Sequence, residues 1–502
     1  MKFRNLFFIL FLYLNLKNKG FCESNDNYLL LVISLDGFRY DYLDRYSNKD
    51  GFLVKFANQG FRAAYSESIF PSNTYPNHWS MVTGLRAEQH GVVNNEIYDP
   101  ISNNQFRMAK DRENSEGWFQ DREPVWIKNQ KENGIKNKHS VVFDWPGGTA
   151  SFDNIQPKVS RQIKRENWFL NTFNETIEEF VGSLERGHTN LAYLYLGEPD
   201  MAGHFYGPES KEVEKTVQEL DYVLENLFNQ LRIRKNYNIE DDIDVLIVTD
   251  HGMDTILAAN DTALKRHFYL SDYLDVKKYL VLERCTYGSF SELWLQDEAD
   301  VEHIYETIRG KLMDSEDSHK IRGMYMKKDI PERFHIKNHR RVAPIVLLAH
   351  SGYQIILDRD NSDKYSVSKY HGNHGYETDN ELMRGTFLAK GKSFKKSFKS
   401  TKPVYLIDYY LLVCHLLGLT PNENNGTFSR ISQVLEGGGE QYDEDLMQTL
   451  LKFGILFIIF LLIISFVMPS FLIFSSIKMT CDQPPSDVTK TRAEKTQLVK
   501  ND

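Results

Sequence analysis

The chain has 502 residues, of which 41% are hydrophobic and 26% charged, which supplies a sizeable core and excludes a disordered polymer. A formal net charge of -9 counts against a protein that grips a nucleic-acid polymer through a basic face. It leaves open a small anionic substrate held by metal ions, in one large α/β domain or two smaller ones.

Residues 1–22 begin with Lys2 and Arg4, continue through an apolar run at 6–14 and reach Gly20-Phe21-Cys22. This is the order of a secretory signal with its cleavage site, and the run lacks the amphipathic pattern of a buried helix. The ectodomain is therefore expected to occupy 23–435.

The segment 28–35 (YLLLVISL) is almost wholly apolar, has β-branched members and ends at Asp36-Gly37, as expected of a buried parallel strand that stops at a loop. Two further runs have the same form: 191–196 (LAYLYL) before Glu198-Pro199-Asp200, and 243–249 (IDVLIVT) before Asp250-His251-Gly252. Between them, Phe173, Ile177, Phe180 and Leu184, then Val213, Val217, Leu220, Leu224, Leu227 and Leu231, recur at helical spacing. Strands alternating with such helices predict a largely parallel sheet covered on both faces. Ligands of such sheets bind beyond the carboxyl ends of the strands.

From 255 to 370 the pattern is less regular, with a strand expected at 292–295, a helix at 301–312 and a charged segment at 327–341. This reads as an insertion packed on the same domain. An acidic, glycine-rich stalk is expected at 436–452. The uncharged stretch 453–477 follows, long enough to span a bilayer core of roughly 30 Å. Lys478, Lys490, Arg492, Lys495 and Lys500 lie after it, and acidic residues precede it, so the positive-inside rule puts the tail at 478–502 in the cytoplasm. The expectation is a single-pass type I protein at the cell surface.

Of the four cysteines, Cys22 leaves with the signal and Cys481 faces the cytoplasm, so only Cys285 and Cys414 can pair outside. The sequence leaves that pairing open. Asn174, Asn260 and Asn425 each begin a glycosylation triplet.

Single aspartates at strand ends are ordinarily caps or loop residues. The set carries more information: Asp200 and His204 stand four apart, Asp250 and His251 are adjacent, and His374 sits in Gly372-Asn373-His374-Gly375. Carboxylate oxygens and imidazole nitrogens without cysteine suit catalytic zinc, and three Asp with three His are about what two ions require. Two ions roughly 3.5 to 4 Å apart stabilise both the attacking and the leaving oxygen of an in-line phosphoryl displacement. The turn Phe70-Pro71-Ser72-Asn73-Thr74-Tyr75-Pro76-Asn77-His78-Trp79 offers hydroxyls as nucleophile. His78 and His90 read as hydrogen-bonded structural residues.

That turn, continuing through His90-Gly91, Asn95 and Tyr98-Asp99, resembles the signature around the catalytic threonine of nucleotide pyrophosphatase/phosphodiesterases, members of the alkaline phosphatase superfamily. The resemblance extends through Asp36-Gly37-Phe38-Arg39, Trp145-Pro146-Gly147, Gly203-His204, Tyr206-Gly207-Pro208, Thr249-Asp250-His251-Gly252-Met253 and His374-Gly375-Tyr376, over essentially the whole ectodomain. It implies an alkaline-phosphatase-like fold and Thr74 as nucleophile. Asp36, Thr74, Asp250 and His251 would surround one zinc, and Asp200, His204 and His374 the other. It also implies that Asn95 binds the phosphoryl oxygen, that Tyr75 stacks on a nucleobase, and that the reaction passes through a threonyl-nucleotide to a nucleoside 5'-monophosphate. The single C-terminal span looks most like the small type I members.

The residues after Gly147 do not place the family's second base-stacking aromatic. The segment after Tyr376 is one residue longer than the usual spacing, and Gly391-Lys392 replaces an expected Gly-Pro. Two alternatives are weighed beside the nucleotide enzyme: a choline phosphodiesterase acting on lysophospholipids with the same zinc site, and an inactive surface-binding glycoprotein that keeps only the fold. A sulfatase is disfavoured because no Cys or Ser stands in the required setting near Thr74.

Overall fold

The computed structural model describes residues 28–111, 117–162, 172–238, 241–256, 266–360 and 369–438. Contacts divide the chain into Met1–Gly439 and Glu440–Asp502, and all described residues lie in the first unit. The expected signal at 1–22, most of the stalk, the span at 453–477, the tail at 478–502 and the triplet at Asn260 fall outside the described residues. No helix among the described residues is long and apolar enough to cross a membrane.

Eight strands form the central sheet: β1 (Leu29–Leu35), β2 (Phe61–Arg62), β3 (His139–Phe143), β4 (Val159–Arg161), β5 (Thr189–Leu196), β6 (Ile243–Val248), β7 (Phe387–Lys390) and β8 (Phe398–Lys399). Their spatial order is β8-β2-β7-β6-β1-β5-β3-β4. The five strands from β6 to β4 run parallel, and β7 is antiparallel to both its neighbours. The expected largely parallel sheet is present, with β1 at its centre.

Eight helices matter for the site and its support: α1 (Phe52–Gln59), α2 (Thr74–Thr83), α3 (Val125–Asn133), α4 (Phe173–Ser183), α5 (Asp200–Tyr206), α6 (Lys211–Lys235), α7 (Val301–Met313) and α8 (Tyr409–Leu417). Every residue of β1 is buried, and because successive side chains point to opposite faces, a strand with apolar residues on both faces needs two covers. Leu29, Leu31, Ile33 and Leu35 pack with apolar residues of α1, α4 and α6. Leu30 and Val32 pack with those of α2, α3 and α8.

The expected stripe on α6 lies wholly in the core. At roughly 1.5–3 kcal/mol per fully buried side chain, these six residues hold α6 to the sheet. The exposed Lys215–Glu219 pair on its outer face contributes little, as such pairs give under about 1 kcal/mol. Ser210 caps the helix by accepting from Val213 N, and Arg232, Arg234 and Lys235 close the last turn, where positive charge suits the helix dipole.

The insertion has its own apolar cluster around a three-stranded antiparallel sheet, with Ile345–Ala349 between Phe290–Leu293 and Ile321–Met326. The strand expected at 292–295 is found two residues earlier, and α7 matches the expected helix. Cys285 lies in this cluster and Cys414 on the buried face of α8; both are buried and free. Burial pushes each thiol up to about 12, which keeps both protonated and unreactive.

Candidate active site

The carboxyl ends of β6, β1 and β5 lie side by side at one sheet edge. β1 runs into Asp36, β6 into Thr249, Asp250 and His251, and the loop after β5 delivers Asp200 as the first residue of α5. Asp36 N donates to Leu196 O at 3.0 Å and Asp200 N to Asp36 O at 3.1 Å, tying the two loops together. Gly37, at φ +65°, makes that approach possible, since a Cβ there would stand 2.9 Å from Asp200 Cβ.

One turn beyond Asp200, His204 projects from the same face of α5. His374 follows the short strand Gly372–Asn373, which pairs antiparallel with Asp254–Thr255 just past His251. Gly375, at φ +87°, seats this loop against the Thr74 turn: a Cβ there would meet Asn73 Oδ1 at 2.4 Å and Ser289 Oγ at 2.5 Å.

His204 Nε2 lies 3.3 Å from Asp200 Oδ2, and His374 Nε2 lies 3.6 Å from Asp200 Oδ1. His251 Nε2 is 3.1 Å from Asp250 Oδ2, 3.4 Å from Asp36 Oδ1 and 3.3 Å from Thr74 Oγ1. The rings of His251 and His374 stack with centroids 3.6 Å apart. Two triads have ligand atoms within 4.8 Å of one another: Asp200, His204 and His374, and Asp36, Asp200 and His251. The first is the set expected for one ion. In the second, Asp200 takes part where Asp250 was expected, and Asp250 stands beside it through His251.

The second layer of contacts prepares these atoms for a cation. Each histidine Nδ1 hydrogen-bonds a backbone carbonyl: His204 to Gly372 at 3.0 Å, His251 to Gly252 at 2.9 Å and His374 to Ser72 at 2.9 Å. A carbonyl only accepts, so Nδ1 carries the proton and the Nε2 lone pair of each neutral ring points into the cluster. On the carboxylates, Tyr195 OH donates to Asp36 Oδ2 and Gly37 N to Asp250 Oδ1 at 3.2 Å. Asp36 Oδ1, Asp200 Oδ1 and Asp250 Oδ2 are buried with no hydrogen-bond partner among the described residues.

Among the described residues, no lysine or arginine forms a salt bridge with these three aspartates. Burial, then the charges of Asp250 and Asp200, push the Asp36 carboxyl well above the usual carboxylate range. Burial works to lower His251, but Asp250, Asp200 and the Gly252 carbonyl together outweigh it and raise the imidazole, while burial and then His251 hold His374 down to about 3. Three buried carboxylates and three inward-facing lone pairs make a site short of positive charge. An all-oxygen-and-nitrogen donor set of this kind fits divalent metal.

Thr74 is the first residue of α2 and is 4% exposed. The carboxamide of Asn95 lies against its peptide, with Oδ1 accepting from Tyr75 N at 2.9 Å, which leaves Nδ2 as its donor. Tyr75 is 3% exposed, its ring stacked on Phe119 at 5.7 Å and edge-on to Phe106 at 5.2 Å. A base could lie on that face only if those rings moved. His78 and His90 have the structural roles expected. His78 Nδ1 bonds Thr74 O at 2.7 Å and its Nε2 meets Ser34 Oγ at 2.8 Å. His90 Nδ1 accepts from Val92 N at 3.1 Å and Nε2 meets Ser80 Oγ at 3.1 Å. Asn174 and Asn425 are both exposed.

Tyr195 is the partner that sequence reading passed over. Its signal was a polar tip near the carboxyl end of the strand, one position from the edge where ligands gather.

Residues 30–377 match the family model described as type I phosphodiesterase / nucleotide pyrophosphatase. A bis(5'-adenosyl)-triphosphatase of Xenopus laevis is 30% identical over 409 residues, 81% of each chain. Human ectonucleotide pyrophosphatase/phosphodiesterase family member 5 is 30% identical over 416 residues, 83% of this chain and 80% of its own. A solved structure of the murine ectonucleotide pyrophosphatase/phosphodiesterase 5, an inactive threonine-to-alanine variant in complex with AMP, superposes with a TM-score of 0.70 at 28% identity, covering 82% of this chain and all of that one.

Proposed function

Since the chain belongs to the type I phosphodiesterase/nucleotide pyrophosphatase family, we propose that Thr74 is the nucleophile of a zinc-dependent enzyme that cuts nucleotide pyrophosphate and phosphodiester bonds. Asp200, His204 and His374 hold one zinc. Asp36, Thr74, Asp250 and His251 surround the other, with Asp200 close to both. Two such ions supply the positive charge that lowers the proton affinity of a hydroxyl and offsets charge on the phosphoryl oxygens.

The hydroxyl oxygen of Thr74 forms a bond to phosphorus as its proton is lost and the bond to the departing phosphate or nucleotide breaks. Water then attacks the same phosphorus, the Thr74 ester bond breaks, and a nucleoside 5'-monophosphate leaves with the threonine hydroxyl restored. Asn95, its oxygen occupied by Tyr75 N, turns its NH2 group to a non-bridging phosphoryl oxygen and needs little reorganisation to do so. Tyr75 borders the nucleobase through the edge of its packed ring.

One observation carries this reading: three bare carboxylate oxygens and three imidazole Nε2 atoms converge at the mouth of α2, where Thr74 Oγ1 stands 3.3 Å from one of them. The inactive threonine-to-alanine variant of the murine neighbour and its AMP support an essential threonine and a nucleotide site. The name of the Xenopus relative makes bis(5'-adenosyl) triphosphate the first substrate to try. The test is incubation of the purified protein with that compound, ATP and lysophosphatidylcholine. Release of AMP from the nucleotides is expected, and release of phosphocholine alone would replace this reading by that of a lipid phosphodiesterase.

We place the catalytic domain outside the cell. The signal-like start, the uncharged stretch at 453–477, the basic residues after it and the exposed Asn174 and Asn425 support a glycosylated type I surface protein. Protease added to whole cells should remove the catalytic domain and spare an epitope at Asp502. An Asp502 epitope lost to the protease would reverse the orientation.

A further inference from the structure

The insertion does more than cover the domain. Its strand Phe290–Leu293 carries Glu292, 2% exposed, whose Oε2 accepts from Asn94 Nδ2 at 2.9 Å and whose Oε1 accepts from Ala343 N at 3.3 Å. Asn94, 4% exposed, uses its Oδ1 to accept from Asn73 Nδ2 at 2.9 Å and from Asn95 N at 2.8 Å. The residues flanking this carboxamide are the one before Thr74 and the proposed oxyanion donor itself. Ser289, which precedes the same strand, donates its hydroxyl to His374 O. One edge of the insertion thus touches both sides of the site.

We infer that Glu292 is a positioning residue for the reaction, fixing through Asn94 the placement of Asn95 and of the Asn73-Thr74 turn; this rests on the roles proposed above for Thr74 and Asn95. An amide has a donor end and an acceptor end of nearly equal shape, so its neighbours decide which way it points. Asn95 N is a backbone donor that cannot turn and requires the oxygen on its side, where Asn73 Nδ2 also donates. Glu292, when ionised, presents only acceptors and requires the NH2 group on its own side. The carboxylate therefore excludes the flipped amide, in which two donors would face the Asn94 NH2 group and both contacts with the catalytic turn would be lost. The pair spans 198 residues of sequence, so it couples the insertion to the sheet edge at one point.

A donor–acceptor swap tests this. In Glu292→Gln the single carbonyl oxygen satisfies either Ala343 N or Asn94, and the other position confronts a donor. In Asn94→Asp a carboxylate faces Glu292. In the double variant Glu292→Gln/Asn94→Asp each donor again meets an acceptor: the glutamine NH2 meets one aspartate oxygen, and Asn73 and Asn95 N meet the other. Each single change should lower kcat by about tenfold with KM within about twofold, the result of a misplaced oxyanion donor. The double variant should return kcat to within about threefold of the parent. Single variants with parental kcat, or a double variant no better than the worse single one, would overturn the inference.

Should Asn94→Asp not fold, Glu292→Met deprives Asn94 of its acceptor without adding charge and must lower kcat at steady KM; parental kcat there would also overturn it. Thr74→Ala assayed alongside separates the two levels. An active Thr74→Ala defeats the catalytic reading, whereas an inactive Thr74→Ala with indifferent Glu292 variants defeats only the positioning role.

Discussion

Thr74 Oγ1 lies 3.3 Å from His251 Nε2, so the hydroxyl occupies the space into which an inward-facing imidazole directs its lone pair. Removing the hydroxyl leaves all six Asp and His side chains in place. Thr74→Ala should therefore keep its zinc while turnover falls by at least about a thousandfold, as loss of a covalent nucleophile does. Thr74→Ser keeps the oxygen and loses only the methyl that restricts its rotamer, so measurable activity should remain. Near-parental hydrolysis by Thr74→Ala would make water the nucleophile.

Elemental analysis of the purified protein should find two zinc ions per chain, and a chelator should abolish hydrolysis. Chelation should also lower the thermal midpoint. Without cations, the bare oxygens of Asp36, Asp200 and Asp250 face one another in a buried site, where unpaired charge is costly. Activity surviving complete removal of metal would contradict the two-ion assignment.

Asp36, Asp200 and Asp250 were legible because strands buried on both faces read as apolar runs, and an aspartate follows each run within four residues, at the sheet edge. His204 was legible from its four-residue spacing to Asp200. The closeness of Asp200 to both triads was not, since it depends on the approach of two loops across Gly37, which no local pattern records. Tyr75 stands next to the nucleophile in sequence, yet Phe106 and Phe119 decide how much of its ring a ligand can reach. Glu292 reads as an ordinary charged residue at a strand; only the return of the chain against Asn94 makes it a buried acceptor.

Burial raises the Glu292 carboxyl from its ordinary 4.5 to about 7, against the smaller opposing pull of Asn94, Ala343 N and Lys327. A raised acid pKa means that the folded protein binds this proton more tightly than the unfolded chain. The contribution to stability is thus fully present below pH 4.5 and is lost as pH rises through about 7, worth about 3 kcal/mol across that window. The stability of the parent relative to Glu292→Gln, measured by denaturant titration, should fall from pH 4.5 to pH 7 and level off above about pH 8. A difference independent of pH would show that Glu292 titrates as an exposed acid. Kinetic comparison of the Glu292 variants belongs above pH 8, where the parent carboxyl is ionised.

Tyr195 OH donates to Asp36 Oδ2 from a side chain that is 6% exposed, and it leaves Oδ1, the oxygen 3.4 Å from His251 Nε2, as the bare one. The phenol therefore decides which carboxylate oxygen is available to metal and holds the carboxylate plane. Tyr195→Phe removes only the hydroxyl and keeps the ring that meets His78 edge-on at 5.2 Å, so the fold should persist. Loss of such a supporting hydrogen bond typically weakens metal affinity by about 10–100-fold. Titration with a zinc buffer should show one of the two ions binding more weakly by that factor and the other, held by Asp200, His204 and His374, unchanged. Added zinc should then restore most of the lost activity, because Thr74 and Asn95 are untouched. Equal weakening of both ions would mean that Asp36 does not belong to one ion alone, and that Asp200 links the two triads into a single cooperative site.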